Sequence, residues 1–113
     1  MTESKKRILF VCSRNQWRSP TAERIFSRSV VVEVRSRGLS ASAVRRVSSS
    51  DVSWADIIFV MESDHRRQLM KQFRTDVGER PVHVLDVSDD YRFMDPDLID
   101  LIKARVEAIL GPV

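Results

Sequence analysis

Residues 8–26 read ILFVCSRNQWRSPTAERIF. An apolar, partly β-branched run over residues 7–12 ends in Cys12, the only cysteine of the chain. Such a run suits a strand buried on both faces. Past Arg18 the pattern changes. Ser19 stands where an N-cap belongs, Pro20 fits a first helical turn, and Ala22, Ile25, Phe26 and Ser29 follow helical spacing. The stretch therefore predicts strand, tight loop and helix, with a thiol at the carboxyl end of the strand.

The same alternation continues outward. Residues 30–38 read as a second strand closed by Gly38, and the polar stretch 39–51 as loop or short helix. Residues 55–61 form a third buried strand. Residues 63–73 form a helix capped by Ser63 or Asp64, with Leu69, Met70 and Phe73 on its inner face. Residues 81–87 give a fourth strand. Over 95–110 the pattern is the clearest: Asp95 caps, Pro96 opens the first turn, and Leu98, Leu101, Ile102, Val106 and Ile109 make an apolar stripe. Strands alternating with helices predict an α/β fold in three layers, a four-stranded parallel sheet with helices on both faces. With no repeat, linker or low-complexity segment, residues 1–113 are expected to form a single domain. Ligands bind such sheets outside the carboxyl ends of the strands, which is where Cys12 stands.

Composition sets limits. Of 113 residues 42% are hydrophobic and 31% charged, the balance of a soluble globular chain. No apolar run approaches the roughly 18 residues of a membrane span. The opening MTESKKR passes at once into a strand-like run, so a signal peptide is not expected. A lone cysteine excludes an internal disulfide, and a reducing cytoplasm is the expected location. The net charge of +3 divides unevenly: residues 1–50 hold eleven Lys/Arg and three Asp/Glu, residues 51–113 eight and thirteen. The asymmetry is either ordinary surface charge or a positive region around Cys12 that attracts an anion.

Five residues separate Cys12 from Arg18, enough to curl around one tetrahedral oxyanion. Backbone N–H groups over Ser13, Arg14, Asn15, Gln16, Trp17, Arg18 and Ser19, together with the positive end of the following helix, are suited to phosphate. Arg18 offers a planar fork to two phosphate oxygens. Ser19 is within reach to donate a hydrogen bond to the sulfur, and a thiolate beneath a bound phosphate is placed for in-line attack on phosphorus. The alternative for Cys12 is a small core hydrophobe. The Ser-Pro helix start and the preceding strand weigh against it.

VCSRNQWRSPTAE resembles the active-site loop of the low-molecular-weight protein tyrosine phosphatases, with Cys12, Asn15, Arg18, Ser19, Pro20, Ala22 and Glu23 matching. The resemblance implies a cysteine nucleophile, a phosphate-binding arginine, an asparagine that braces the loop and a serine that stabilises the thiolate. It also implies a proton donor from an Asp-Pro-Tyr segment before the last helix. Counting back from that helix, Asp89 and Tyr91 fall at the acid and at a tyrosine facing the substrate, while Asp90 replaces the proline and stays a rival acid. Asp95, in a literal Asp-Pro, is better used as a helix cap. Trp17 replaces the second loop cysteine of many family members. It serves with Tyr91 as an aromatic wall, or packs on the sheet edge. Trp54 is expected in the core. His65 and His83 read as structural, since no metal-ligand spacing joins them.

The expected activity is hydrolysis of phosphomonoesters through a phosphocysteine, protein tyrosine phosphatase first, with no metal or other cofactor. Expected partners are phosphorylated proteins or small phosphoesters; neither nucleic acid nor membrane is expected. The alternatives are a non-catalytic phosphate-binding module, or arsenate reduction relying on an external thiol.

Overall fold

The computed structural model describes residues 5–113. β1 (Lys6–Cys12) organises them because its side chains alternate between two cores. Ile8, Phe10 and Cys12 enter one apolar cluster, Leu9 and Val11 the other. The chain continues through α1 (Arg18–Phe26), β2 (Val32–Gly38), α2 (Ser49–Trp54), β3 (Ile57–Val60), α3 (Ser63–Val77), β4 (Val82–Val84) and α4 (Pro96–Leu110). All four strands pair in parallel, in the order β2-β1-β3-β4. Ala22 and Phe26 of α1 and Leu98, Ile102 and Val106 of α4 close the first cluster. Val52 of α2 and Leu69 and Val77 of α3 close the second. The result is the three-layer α/β arrangement that the alternating pattern predicts.

Phe10 lies between Phe26 and Phe59, with ring centroids 5.9 and 5.6 Å away. Burying a ring of this kind contributes about 1.5–3 kcal/mol. That central stack fixes α1 against the sheet, and with it the loop between Cys12 and Arg18. The chain leaves β1 for β2 on one side and returns to β3 on the other. The carboxyl ends of β1 and β3 therefore flank the point where strand order reverses, the usual ligand crevice of such sheets.

Several boundaries differ from the sequence reading. β2 begins at Val32, because the Ser29 hydroxyl accepts the N–H groups of Val31 and Val32 and turns the chain. Val30 and Val31 are left exposed. β3 is shorter at both ends than 55–61. β4 is only three residues long, but Leu85 and Val87 continue the pairing by donating to the carbonyls of Val60 and Met61. α3 is capped by Glu62, not by Ser63 or Asp64. α1 starts at Arg18 with Trp17 as N-cap, so Ser19 lies inside the helix. In α4, Asp95 caps as expected, accepting the N–H of Asp97 at 2.9 Å, while Ile109 falls off the apolar stripe and is exposed. Trp54 is only half-buried: it packs on the second cluster with the Arg35 guanidinium 4.1 Å above its ring. No helix among the described residues is long and apolar enough to cross a membrane.

Candidate active site

The loop after β1 has its carbonyls tied down on one side. Those of Cys12, Ser13 and Arg14 accept N–H groups of Leu39, Ser40 and Val44 at 3.0, 2.8 and 3.0 Å. In a trans peptide the next N–H points the opposite way. The amides of Ser13, Arg14 and Asn15 are thereby turned toward the inside of the loop. The Asn15 N–H lies 3.3 Å from the Cys12 sulfur. The segment after β2, polar and featureless as sequence, is the clamp that shapes this cradle.

Asn15 adopts a left-handed φ of 56°, a conformation its short polar side chain tolerates. Its amide NH₂ donates to the hydroxyls of Ser19 and Ser36, both at 3.0 Å. Ser36 in turn donates from its N–H and hydroxyl to Glu23, at 2.7 and 2.9 Å, and Arg45 holds Glu23 from outside. Because Ser19 Oγ already accepts from Asn15, its proton is available to the Cys12 sulfur, 2.9 Å away. Loop amide and hydroxyl thus converge on one sulfur. Asn15 and Ser19 are buried behind the loop, Asn15 in the bracing position expected of it and Ser19 against the sulfur; expected also among the phosphate-binding residues, neither lines the cavity above the sulfur. This also explains why Ser19 does not cap α1.

Arg18 is buried, 7% exposed, and its Nη1 donates to Glu62 at 2.6 Å and to the Val87 carbonyl at 2.7 Å. Its Nε and Nη2 make no hydrogen bond among the described residues, so the guanidinium is held by one corner with its other edge available. Glu62 is itself fixed: its N–H donates to Nδ1 of buried His65 at 3.1 Å. Burial, and then the Arg18 charge, hold the His65 pKa below the ordinary histidine range, against the opposing pull of Glu62, Asp64 and Asp89. A base with a depressed folded pKa binds fewer protons folded than unfolded. Its penalty is absent above the unfolded value of about 6.5 and grows as pH falls below it. The melting temperature is therefore expected to fall between about pH 7 and pH 5 in the wild type, and to fall less in His65→Asn, whose Oδ1 replaces the accepting nitrogen. Equal falls in both would remove His65 as the cause. His83 stacks on Phe59 at 5.5 Å. Both histidines fit the structural reading.

Above the sulfur lies a cavity of about 370 Å³ lined by Cys12, Ser13, Arg14, Gln16, Trp17, Arg18 and Asp89. Trp17 is 40% exposed on its rim, so the wall reading of this residue fits better than packing. Asp89, from the segment after β4, is among the lining residues. Asp90 does not line it; its carboxylate accepts the Ser88 hydroxyl at 2.8 Å. Tyr91, expected as a second wall, is also absent from the lining and packs on the first apolar cluster. The cause is the tether of its segment: Met94 N–H donates to Thr21 at 2.9 Å and Asp95 is spent on the cap, which turns the ring inward.

Glu62, Ser36 and Gly38 were not assigned to the site from sequence. Gly38 pairs directly with Cys12 across the β1–β2 ladder. A Cβ there would stand 2.6 Å from the Ser13 carbonyl oxygen, 2.6 Å from Ala43 Cβ and 2.9 Å from the Asn15 nitrogen. Two of those neighbours are loop backbone and cannot swing aside. Gly38→Ala is expected to cost about 1–3 kcal/mol, as overpacking does, and to weaken oxyanion binding by displacing the loop. Urea unfolding and phosphate titration measure the two effects; an unchanged phosphate affinity would show that the loop does not depend on this contact.

No family model matches the chain, and no curated protein sequence is similar to it. Solved structures are. Wzb from Vibrio vulnificus, in complex with benzylphosphonate, superposes with a TM-score of 0.74 at 23% identity, covering 93% of this chain and 97% of that one. The YwlE arginine phosphatase from Geobacillus stearothermophilus gives 0.67 at 24%, over 93% and 92%. The low-molecular-weight protein tyrosine phosphatase from T. tengcongensis gives 0.70 at 21%, over 95% and 97%. The chain therefore has the fold of the low-molecular-weight protein tyrosine phosphatases.

Proposed function

We propose that the chain is a cysteine-dependent phosphomonoester hydrolase acting on phosphorylated protein side chains, phosphotyrosine first. The observation that carries this is the Cys12 sulfur on the floor of a cavity, approached by Ser19 Oγ at 2.9 Å and Asn15 N–H at 3.3 Å, with Arg18 and Asp89 among the lining residues. Similar solved structures include the YwlE arginine phosphatase from Geobacillus stearothermophilus and the tyrosine phosphatase Wzb from Escherichia coli K30. Trp17 on the rim favours a flat aromatic group as the ester.

In the first step the thiolate of Cys12 attacks phosphorus. A sulfur–phosphorus bond forms, the bond to the ester oxygen breaks, and Asp89 gives its proton to that oxygen. In the second step the Asp89 carboxylate takes a proton from water as the water oxygen attacks phosphorus; the sulfur leaves as thiolate and inorganic phosphate departs. The amides of Ser13 and Arg14 and the unengaged edge of Arg18 stabilise the equatorial oxygens in both steps. The 113 residues act as one domain, and a lone thiolate nucleophile suits a reducing cytoplasm. The test is turnover of p-nitrophenyl phosphate and a phosphotyrosyl peptide, with acid quenching during turnover and mass analysis of the Cys12 peptide. A phosphoryl adduct on that peptide is expected; turnover without one on any cysteine would overturn the covalent route.

A further inference from the structure

A second groove, of about 560 Å³, runs beside the first along the outer face of α1. Pro20, Arg24, Arg28 and Arg45 line it, with Glu23 at its base and Phe93, 48% exposed, on the far wall. The two cavities have no lining residue in common, but the same two segments of chain line both. The start of α1 supplies Arg18 to one and Pro20 to the other; the segment after β4 supplies Asp89 to one and Phe93 to the other. Glu23 is internally neutralised by Ser36 and Arg45. Arg24 and Arg28 are exposed and form no ion pair among the described residues. The groove is thus positive, carries one exposed aromatic ring, and is lined by the segments that also line the site.

We propose that this groove binds an acidic stretch of the phosphoprotein substrate. The inference rests on the hydrolase reading above. At 1.5 Å rise per residue, Arg24 lies about 9 Å along α1 from Arg18, a span that an extended peptide covers in about three residues, and Arg28 stands in the turn just past the end of α1. Carboxylates three to five positions from the phosphorylated residue meet them. A nucleic-acid backbone fits less well: Glu23 puts a carboxylate in the groove itself and Asp89 puts another in the neighbouring cavity.

The test compares catalytic efficiency on phosphotyrosyl peptides with Asp or Glu three to five positions to either side against alanine counterparts, using wild type and Arg24→Glu/Arg28→Glu. The wild type is expected to prefer the acidic peptides by about twofold to thirtyfold, the range for two exposed charge pairs. The preference shrinks with added salt. The variant is expected to lose it while turning over p-nitrophenyl phosphate like the wild type. Equal efficiency on acidic and neutral peptides overturns the proposal, as does an equal loss on p-nitrophenyl phosphate. If neither substrate class is turned over, the hydrolase reading fails, and fluorescence anisotropy of the labelled acidic phosphopeptide decides the groove. Binding that the double variant loses sustains it; no binding, or displacement by a single-stranded oligonucleotide at lower concentration than by unlabelled peptide, overturns it.

Discussion

Cys12→Ser is expected to abolish phosphate-ester turnover and to leave inorganic phosphate binding in place. The two outcomes separate because nucleophile and cradle are built from different atoms. The cradle is the backbone of residues 13–15, pinned through its carbonyls to Leu39, Ser40 and Val44, and the edge of Arg18 left open by Glu62 and Val87. None of these needs sulfur. The nucleophile does. A serine hydroxyl holds its proton far more tightly than a thiol and is the poorer nucleophile. Losses on the order of 10⁴–10⁶-fold accompany removal of a covalent nucleophile. Turnover assays and phosphate titration by calorimetry read the two quantities on one preparation. Residual hydrolysis within tenfold of wild type would end the covalent mechanism. The competing view is that Cys12, 3% exposed in the first apolar cluster, merely packs. It predicts a lowered melting temperature with turnover retained in proportion to folded protein.

What was legible in the sequence follows from range. The β1–loop–α1 unit could be read because its signals are local: an apolar run, then Ser-Pro, then helical spacing, all within residues 7–26. The Asp95 cap is local too. The Arg18–Glu62 pair spans 44 positions and depends on β1 and β3 being neighbours, which no local periodicity dictates. Ser19 shows how a correct local preference is overridden. A serine before proline is a good cap, but the closed loop places its hydroxyl beside a sulfur and an asparagine amide, and those partners win. Tyr91 was misplaced for a related reason: the spacing located the residue, while the direction of its ring was set by a hydrogen bond from Met94 to Thr21, 73 positions away. Gly38 could be read as the end of a strand; that the loop backbone lies against it only the β1–β2 register reveals.

The other large effect is expected for Asp89→Asn, and its signature is a dependence on the leaving group. Of the four carboxylates between β4 and α4, Asp86, Asp89, Asp90 and Asp95, only Asp89 lines the cavity. Asp90 is engaged with Ser88, and Asp95 is engaged with the Asp97 N–H. A general acid typically contributes about 10²–10⁴-fold. That contribution is needed when the departing oxygen is basic, as in phenyl phosphate or phosphotyrosine, and hardly needed when it is an activated nitrophenolate. Asp89→Asn is therefore expected to lower the rate steeply with poor leaving groups and mildly with p-nitrophenyl phosphate, at an unchanged melting temperature. Asp90→Asn should leave the leaving-group slope as it is. Asp95→Ala should cost about 1 kcal/mol of stability through the lost cap and leave the slope unaltered as well. The three-way comparison matters because a single slow variant has two explanations, lost acid or lost fold, and only the slope against leaving-group basicity, taken with the melting temperature, tells them apart. A steep slope in Asp90→Asn alone would place the acid one residue later and require the 88–90 turn to release its hydrogen bond to Ser88 when an ester binds.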